Sequence, residues 1–133
     1  MELSGRMASY YQRENGGVRC SLCPHQCLVL PGKAGICRTR INQGGELIAA
    51  GYGAVSSIAL DPMEKKPLFH FYPGSTILSL GSFGCNLRCQ FCQNWQISQR
   101  TGDARHITPE VVVELAQEYL HRGCVGVAFT YNE

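Results

Sequence analysis

Three cysteines within eight residues constrain this chain more than any other feature of its sequence. Cys85, Cys89 and Cys92 stand at C-x3-C-x2-C spacing, and Phe91 directly precedes the last of them. An apolar run at 76–80 predicts a strand that leads into this loop. Iron–sulfur cubanes are normally held by four thiolates, so three would leave one iron open for a small-molecule ligand. A zinc knuckle or three unrelated buried cysteines are the alternatives, and neither accounts for the aromatic residue and the strand.

Four more cysteines form a second group nearer the start of the chain. Cys20, Cys23, Cys27 and Cys37 follow the pattern C-x2-C-x3-C-x9-C. Four soft thiolates suit zinc or an iron–sulfur cluster, and the spacing differs from that of bacterial ferredoxins, which favours zinc. A metal would also hold together a segment too poor in apolar residues to build a core. His25 could replace one thiolate, although we expect it to lie outside the ligand set or in solvent.

Composition argues against several other classes of protein. The chain has 133 residues, enough for one domain, and its net charge of +2 is too small to indicate nucleic acid or a membrane surface. No apolar run approaches the ~20 residues that span a bilayer, and the first residues lack the regions of a secretory signal. We therefore expect a cytoplasmic protein, in which eight cysteines favour metal sites over disulfides.

Turn-forming residues divide the first half of the chain. Residues 8–13 could form a short helix that Gly16 and Gly17 end. Residues 36–41 and 46–50 flank a turn that contains an asparagine and two glycines, which predicts a β-hairpin. Residues 54–60 are interpreted as another extended segment.

Three stretches in the middle of the chain could be structural or functional. The polar segment 61–67 is bracketed by prolines and is either a solvated turn, the simpler interpretation, or a loop that faces a substrate or cofactor. His70 lies among aromatic residues, which predicts a hydrogen-bonded core histidine. Residues 81–107 form a long connection, and such loops in compact domains are usually functional.

The last third of the chain predicts a β-α-β unit. After the strand at 76–80, Thr108 is a good N-cap, Pro109 suits the first helical position, and Gly123 is placed to end the helix. The residues of its apolar stripe recur at helical spacing and are Val112, Leu115, Ala116, Tyr119 and Leu120. Residues 124–130 predict a strand buried on both faces, with Cys124 in the core.

Tyr131, Asn132 and Glu133 follow directly on this second strand. Ligands of parallel α/β sheets bind at the carboxyl ends of the strands. Glu133 is therefore expected to face the same edge of the sheet as the cysteine loop.

From residue 20 to residue 133 the sequence resembles the radical S-adenosylmethionine (radical SAM) enzymes. The cysteine loop is typical of that superfamily. The likeness to its AmmeMemoRadiSam-system type, a relative of the pyruvate formate-lyase activating enzymes, rests on segments 20–27 with Cys37, 61–68, 71–74, 85–98 and 130–133. The resemblance implies an α/β fold, the start of a partial (β/α)6 barrel. Residues 75–133 would be its first β-α-β portion and residues 1–74 a Cys-rich metal-binding and β-hairpin region. The chain would then be a fragment, because a full eightfold barrel needs ~250 residues.

The same resemblance implies roles for individual residues. The implied ligands of a [4Fe-4S] cluster are Cys85, Cys89 and Cys92. Phe91 would lie against the adenine of S-adenosylmethionine, and Tyr131, Asn132 and Glu133 stand where the activating enzymes carry a glycine-rich cofactor motif. No residue is implied as catalytic beyond these.

The implied reaction is reductive cleavage of S-adenosylmethionine to a 5′-deoxyadenosyl radical, which abstracts hydrogen from an unidentified small-molecule or protein substrate. The cofactors carry such chemistry while the protein ligates, orients and shields them. An electron donor such as flavodoxin or ferredoxin would be the protein partner. Three alternatives stay open: activation of a glycyl-radical enzyme, which the missing glycine-rich motif and Trp95 disfavour, a non-catalytic metal-binding module, and an electron carrier.

Overall fold

The computed structural model describes residues 5–131 as short strands, two α-helices and two 3-10 turns. The strands are β1 (Arg6–Met7), β2 (Tyr11–Glu14), β3 (Gly17–Cys20), β4 (Leu28–Val29), β5 (Arg40–Gln43), β6 (Glu46–Ala49), β7 (Ala54–Val55), β8 (Ser57–Pro62), β9 (Thr76–Gly81), β10 (Arg105–His106) and β11 (Cys124–Tyr131). The helices are α1 (Trp95–Ser98) and α2 (Pro109–Glu118), and the 3-10 turns are Met63–Lys65 and Leu120–Arg122.

The central strand of the main sheet is β9, which runs parallel to β11 on one side and antiparallel to β8 on the other. Parallel neighbours need a long crossover connection, usually with a helix, and α2 lies in that crossover. The predicted β-α-β unit is therefore confirmed. The predicted strand at 54–60 is also confirmed, divided between β7 and β8.

The ends of α2 follow the sequence signals. The Thr108 hydroxyl accepts a hydrogen bond from the Val111 backbone N–H at 3.4 Å, and Pro109 occupies the first turn, where its missing N–H costs nothing. The chain then passes through the 3-10 turn at Leu120–Arg122 to Gly123, whose φ of +78° is easily reached only by glycine.

One face of the main sheet packs against α2. Leu78, Leu80, Ile107 and Cys124 are buried there, so the predicted core position of Cys124 is confirmed. From α2 and the residue after it, Val112, Leu115, Ala116 and Tyr119 pack onto this cluster.

Two details of this packing differ from the prediction. Leu120 is 63% exposed, because the helix has already tightened into a 3-10 turn that points this side chain away. The strand β11 is not buried on both faces: Phe129 is 72% exposed, because no element in the described part of the chain packs over its ring.

Residues 6–49 contain two small antiparallel sheets, β2-β3-β4 and β1-β6-β5. The predicted hairpin is confirmed, although its first strand begins only at Arg40. Gly44 and Gly45 form its turn at φ of +60° and +86°. The residues between these sheets form a second core, which consists of Ala8, Val18, Cys20, Val29 and Leu47.

The predicted helix at 8–13 is wrong. Tyr11–Glu14 is strand β2, and its partner β3 follows after Asn15 and Gly16 alone. Asn-Gly between two strands is a strong hairpin signal. Strand pairing also buries Val18 and Cys20 on one face of β3, a burial that local helix propensity does not register.

Two predictions for the middle of the chain also fail. His70 is exposed, as are Phe69 and Phe71 beside it, because this segment extends away from both cores. The segment 61–67 is not simply a solvated turn: Asp61 and Met63 are buried, and the Met63 N–H donates to the Ser75 carbonyl at 3.0 Å. In the described part of the chain no helix has the length and apolar character needed to cross a bilayer.

Replacing Leu78 by Ala should lower the free energy of unfolding by about 2–5 kcal/mol, because Leu78 is fully buried and the structure can collapse only partly around the cavity. Leu120→Ala is the matched control and should change it by less than about 0.5 kcal/mol. Urea denaturation of both variants measures the difference. Equal losses would contradict the described core.

Candidate metal and cofactor site

The cysteine loop leaves the main sheet at the carboxyl ends of its two parallel strands. Gly81, the last residue of β9, pairs with Tyr131, the last described residue of β11. The next N–H, that of Ser82, donates to the Tyr131 carbonyl at 2.8 Å. This is the edge where parallel sheets bind ligands. Asn132 and Glu133 lie outside the described residues, so their predicted cofactor contacts stay predictions.

The three thiols of the loop are free and reachable from solvent. Cys89 is exposed and Cys85 and Cys92 are half-buried. The Leu87 N–H donates to the Cys85 sulfur at 3.4 Å, and the Ser98 hydroxyl lies 3.4 Å from the Cys92 sulfur. Hydrogen bonds to sulfur are one of the means by which a protein tunes a bound cluster.

The loop also carries the aromatic residue that the resemblance assigns to the adenine. The Phe91 side chain is 88% exposed, so its ring is open to a stacking partner. Backbone and side-chain bonds close the loop behind it: the Gly84 N–H donates to the Ile97 carbonyl at 2.9 Å, and Gln99 Nε2 donates to the Leu87 carbonyl at 3.1 Å. The long connection at 81–107 is thus a folded loop that contains α1 and β10.

The second group of cysteines comes from separate elements. All four are among the residues that line one cavity of about 830 Å³, as is Asn86 of the cysteine loop; the four are Cys20, Cys23, Cys27 and Cys37. The Cys20 N–H donates to the Cys27 carbonyl at 2.9 Å. Thr39 Oγ1 donates to the Cys37 sulfur at 3.3 Å.

The chemistry of both thiol groups fits a thiophilic metal. Every cysteine of the chain is a free thiol, and such soft donors select zinc or iron–sulfur clusters. Among residues 5–131, no three His, Cys, Asp or Glu side chains already stand in a metal-binding arrangement. The ligand sets predicted for the two groups therefore stay predictions.

A buried charged network that crosses the main sheet from β8 to the end of β11 is not indicated by the sequence. Asp61 and Lys66 are 7% and 10% exposed and form an ion pair at 3.0 Å. Lys66 Nζ also donates to Thr130 Oγ1 at 3.1 Å and to the Tyr131 hydroxyl at 3.2 Å. The Tyr131 hydroxyl in turn donates to Asp61 at 3.1 Å. More exposed, Lys65 pairs with the other carboxylate oxygen at 2.9 Å.

Electrostatics keep the carboxylate of this network charged. Burial alone would raise the pKa of Asp61, but hydrogen bonds from Lys65, Lys66 and Tyr131 outweigh it and hold that pKa well below its usual range. All three Nζ hydrogens of Lys66 have acceptors. The network therefore ties the end of β11 to the turn after β8, and the Tyr131 hydroxyl is committed to it.

The comparisons with known proteins agree with the cysteine loop. A model of the radical SAM superfamily matches residues 80–133, from the end of β9 onward, which supports membership of that superfamily. Its members are generally enzymes that typically bind a [4Fe-4S] cluster and S-adenosylmethionine.

A much longer relative extends the likeness to the rest of the chain. An uncharacterized protein of Methanocaldococcus jannaschii is 48% identical over 132 residues, which are 96% of this chain and 39% of that protein. The chain thus spans about two fifths of the length of this relative. No solved structure matches the chain.

Replacing Lys66 by Met should lower the free energy of unfolding by about 2–4 kcal/mol, because a buried carboxylate loses its most enclosed partner. Lys65→Met removes the same charge from a side chain that is 58% exposed, and should cost less than about 1 kcal/mol. Urea denaturation at neutral pH compares the two variants. A loss for Lys65→Met as large as that for Lys66→Met would argue against this ranking.

Proposed function

We propose that this chain supplies the cluster-binding part of a radical SAM enzyme that acts on an unidentified substrate. Cys85, Cys89 and Cys92 would ligate three irons of a [4Fe-4S] cluster and leave the fourth for S-adenosylmethionine. The observation that carries the proposal is the position of this three-thiol loop, directly after β9 at the edge it shares with β11. The superfamily match covers this loop, β11 and the last two residues of β9.

A [4Fe-4S] cluster held there and reduced by an electron donor would supply the one electron needed to cleave the C5′–S bond of S-adenosylmethionine, which yields methionine and a 5′-deoxyadenosyl radical. The chain's own part is ligation, orientation and exclusion of water. Its thiols must be deprotonated to ligate metal. The Leu87 N–H at the Cys85 sulfur then helps to set how strongly that ligand holds its negative charge.

Two groups of this chain are proposed to orient the cofactor. Phe91, with its exposed ring, would stack against the adenine. Asn132 and Glu133 would accept hydrogen bonds from the α-ammonium group, and such charge-assisted bonds are short and directional. What supports their position is the tethering of Tyr131, the residue before them, to Asp61, Lys66 and the start of the cysteine loop.

The second thiol group is proposed to hold a separate metal, zinc rather than an iron–sulfur cluster. Its support is the common cavity that all four residues line. A flavodoxin or ferredoxin is proposed as the electron donor. Should both thiol groups hold zinc, the chain would instead be a metal-binding module without catalysis.

Anaerobic reconstitution should give about four irons per chain that depend on the cysteine loop. The triple variant Cys85→Ala, Cys89→Ala, Cys92→Ala should lose them, because it removes all three proposed ligands of the cluster. Cys124→Ala is the control, since Cys124 is buried against α2 and belongs to neither group. Iron analysis and the electron paramagnetic resonance of the reduced protein measure the outcome. Two zincs and no iron in the wild-type protein would contradict the proposal.

Replacing Glu133 by Ala in the reconstituted full-length protein should weaken S-adenosylmethionine binding about ten- to a hundredfold, since a charge-assisted hydrogen bond is lost. Iron content should stay at the wild-type value. Glu114→Ala, an exposed acid on α2, is the matched control. The affinity for S-adenosylmethionine is measured by titrating the cofactor into the reduced protein and recording the electron paramagnetic resonance spectrum at each addition. Wild-type affinity in Glu133→Ala would remove Glu133 from the site.

A further inference from the structure

Residues 20–38, here called the cysteine knuckle, lie directly against residues 82–99, here called the cluster loop. The first contact is a hydrogen bond between His25 Nε2 and the backbone carbonyl oxygen of Asn86, 2.7 Å long. A carbonyl oxygen only accepts, so Nε2 must carry the hydrogen. Asn86 directly follows Cys85, the first thiol of the cluster loop.

The second contact is a close approach of two backbones. Gly84 is buried, has a φ of +78°, and lies so near Cys37 that a β-carbon at residue 84 would overlap the Cys37 carbonyl oxygen. The same β-carbon would lie 2.7 Å from Thr39 Cγ2. Only glycine fits both the space and the conformation. The backbone at Cys37, the last cysteine of the knuckle, thus contacts the backbone directly before Cys85, the first cysteine of the loop.

The third contact supports the far end of the cluster loop. Arg38 donates from its guanidinium to the Ser98 carbonyl at 3.2 Å and reaches Gln99 Oε1 at 3.5 Å. Arg38 has a φ of +66°, which is costly for a residue with a β-carbon and persists only when its surroundings enforce it. Gln99 and Ser98 in turn contact Leu87 and the Cys92 sulfur inside the loop.

We propose that the cysteine knuckle, once it holds a thiophilic metal ion, is the rigid support that fixes the conformation of the cluster loop. His25 is then the positioning residue between the two sites. Metal in the knuckle would then increase retention of the cluster. The inference rests on the proposed cluster at Cys85, Cys89 and Cys92.

The physical reason is that neither segment buries much apolar surface of its own. Only Cys20 and Val29 of the knuckle belong to the buried core, so a metal ion would add to its order. The cluster loop has little regular structure between β9 and α1, and fixing it costs conformational entropy. The three contacts are made at residues 84, 86 and 98–99 of the cluster loop, so they lie on both sides of its thiols. A knuckle already ordered by metal lowers the conformational entropy that the cluster loop loses when the cluster binds. Such coupling between two binding sites is reciprocal.

The test uses the full-length protein with zinc(II) bound at the knuckle and the cluster reconstituted anaerobically. The rate of iron loss to an excess of an iron(II) chelator is measured. His25→Ala should lose iron about three- to tenfold faster, the size of effect that one hydrogen bond supports. His25→Gln, whose amide can still donate to the Asn86 carbonyl, should return toward the wild-type rate. His121→Ala removes a distant exposed histidine and should match the wild type.

A second measurement needs no variant of the knuckle. The zinc(II) affinity of the knuckle is measured by competition with a zinc chelator, in protein with the cluster and in the triple cysteine variant without it. Reciprocity predicts tighter zinc binding when the cluster is present.

The outcomes separate this inference from the function on which it rests. The inference would be overturned if His25→Ala lost iron at the wild-type rate and the zinc affinity were the same with and without the cluster. The proposed cluster itself would be unaffected by that result. Loss of zinc from His25→Ala would also overturn it, because His25 would then be a ligand. A wild-type protein that holds no iron at the start would refute the proposed function itself.

Discussion

The parallel register between β9 and β11 is the constraint on which the candidate site depends. It places the end of one strand, Gly81, beside the end of the other, Tyr131, and so brings two segments distant in sequence to one edge. The cysteine loop begins at that point, and the residues proposed to hold the amine of the cofactor begin there too. A shift of this register by one residue would turn every side chain of β11 to the opposite face. The packing of β9 and β11 side chains against α2 prevents such a shift.

The network around Asp61 reinforces this arrangement from the other side of the sheet. Strand β8 carries Asp61 at its end, and the turn after it supplies Lys66. Both bond to Tyr131, some seventy residues further along the chain. Buried ion pairs are often poor sources of stability, because desolvation offsets much of the attraction. Their use here is positional: a carboxylate and an ammonium group with all partners supplied fix the direction in which β11 leaves the sheet.

Local signals were enough to predict the elements that carry the cysteine loop. Thr108, Pro109 and Gly123 mark the ends of a helix by backbone chemistry that does not depend on the rest of the fold, and the apolar runs on either side pair as expected. The same kind of signal, Asn15-Gly16, marks the first hairpin, and strand pairing there overrides the weak helical pattern at 8–13.

Other features depend on partners that sequence spacing does not reveal. Nothing near Lys66 indicates that its ammonium group reaches Thr130, and nothing near His25 indicates Asn86. His70 shows the opposite error, because aromatic neighbours suggest burial only if another element covers them. Side-chain contacts across the fold decide all of these cases.

The contacts between the cysteine knuckle and the cluster loop also suggest the order in which the two segments fold during synthesis. His25 and Asn86 are 61 residues apart, and Arg38 and Ser98 are 60 residues apart. A ribosome adds about 5–20 residues per second, so the knuckle leaves it about 3–12 s before the loop that it contacts. Hairpins close in microseconds. The cysteine knuckle can thus be folded before the last thiol of the cluster loop has been synthesised, and the nascent cluster loop emerges onto a surface that is already formed.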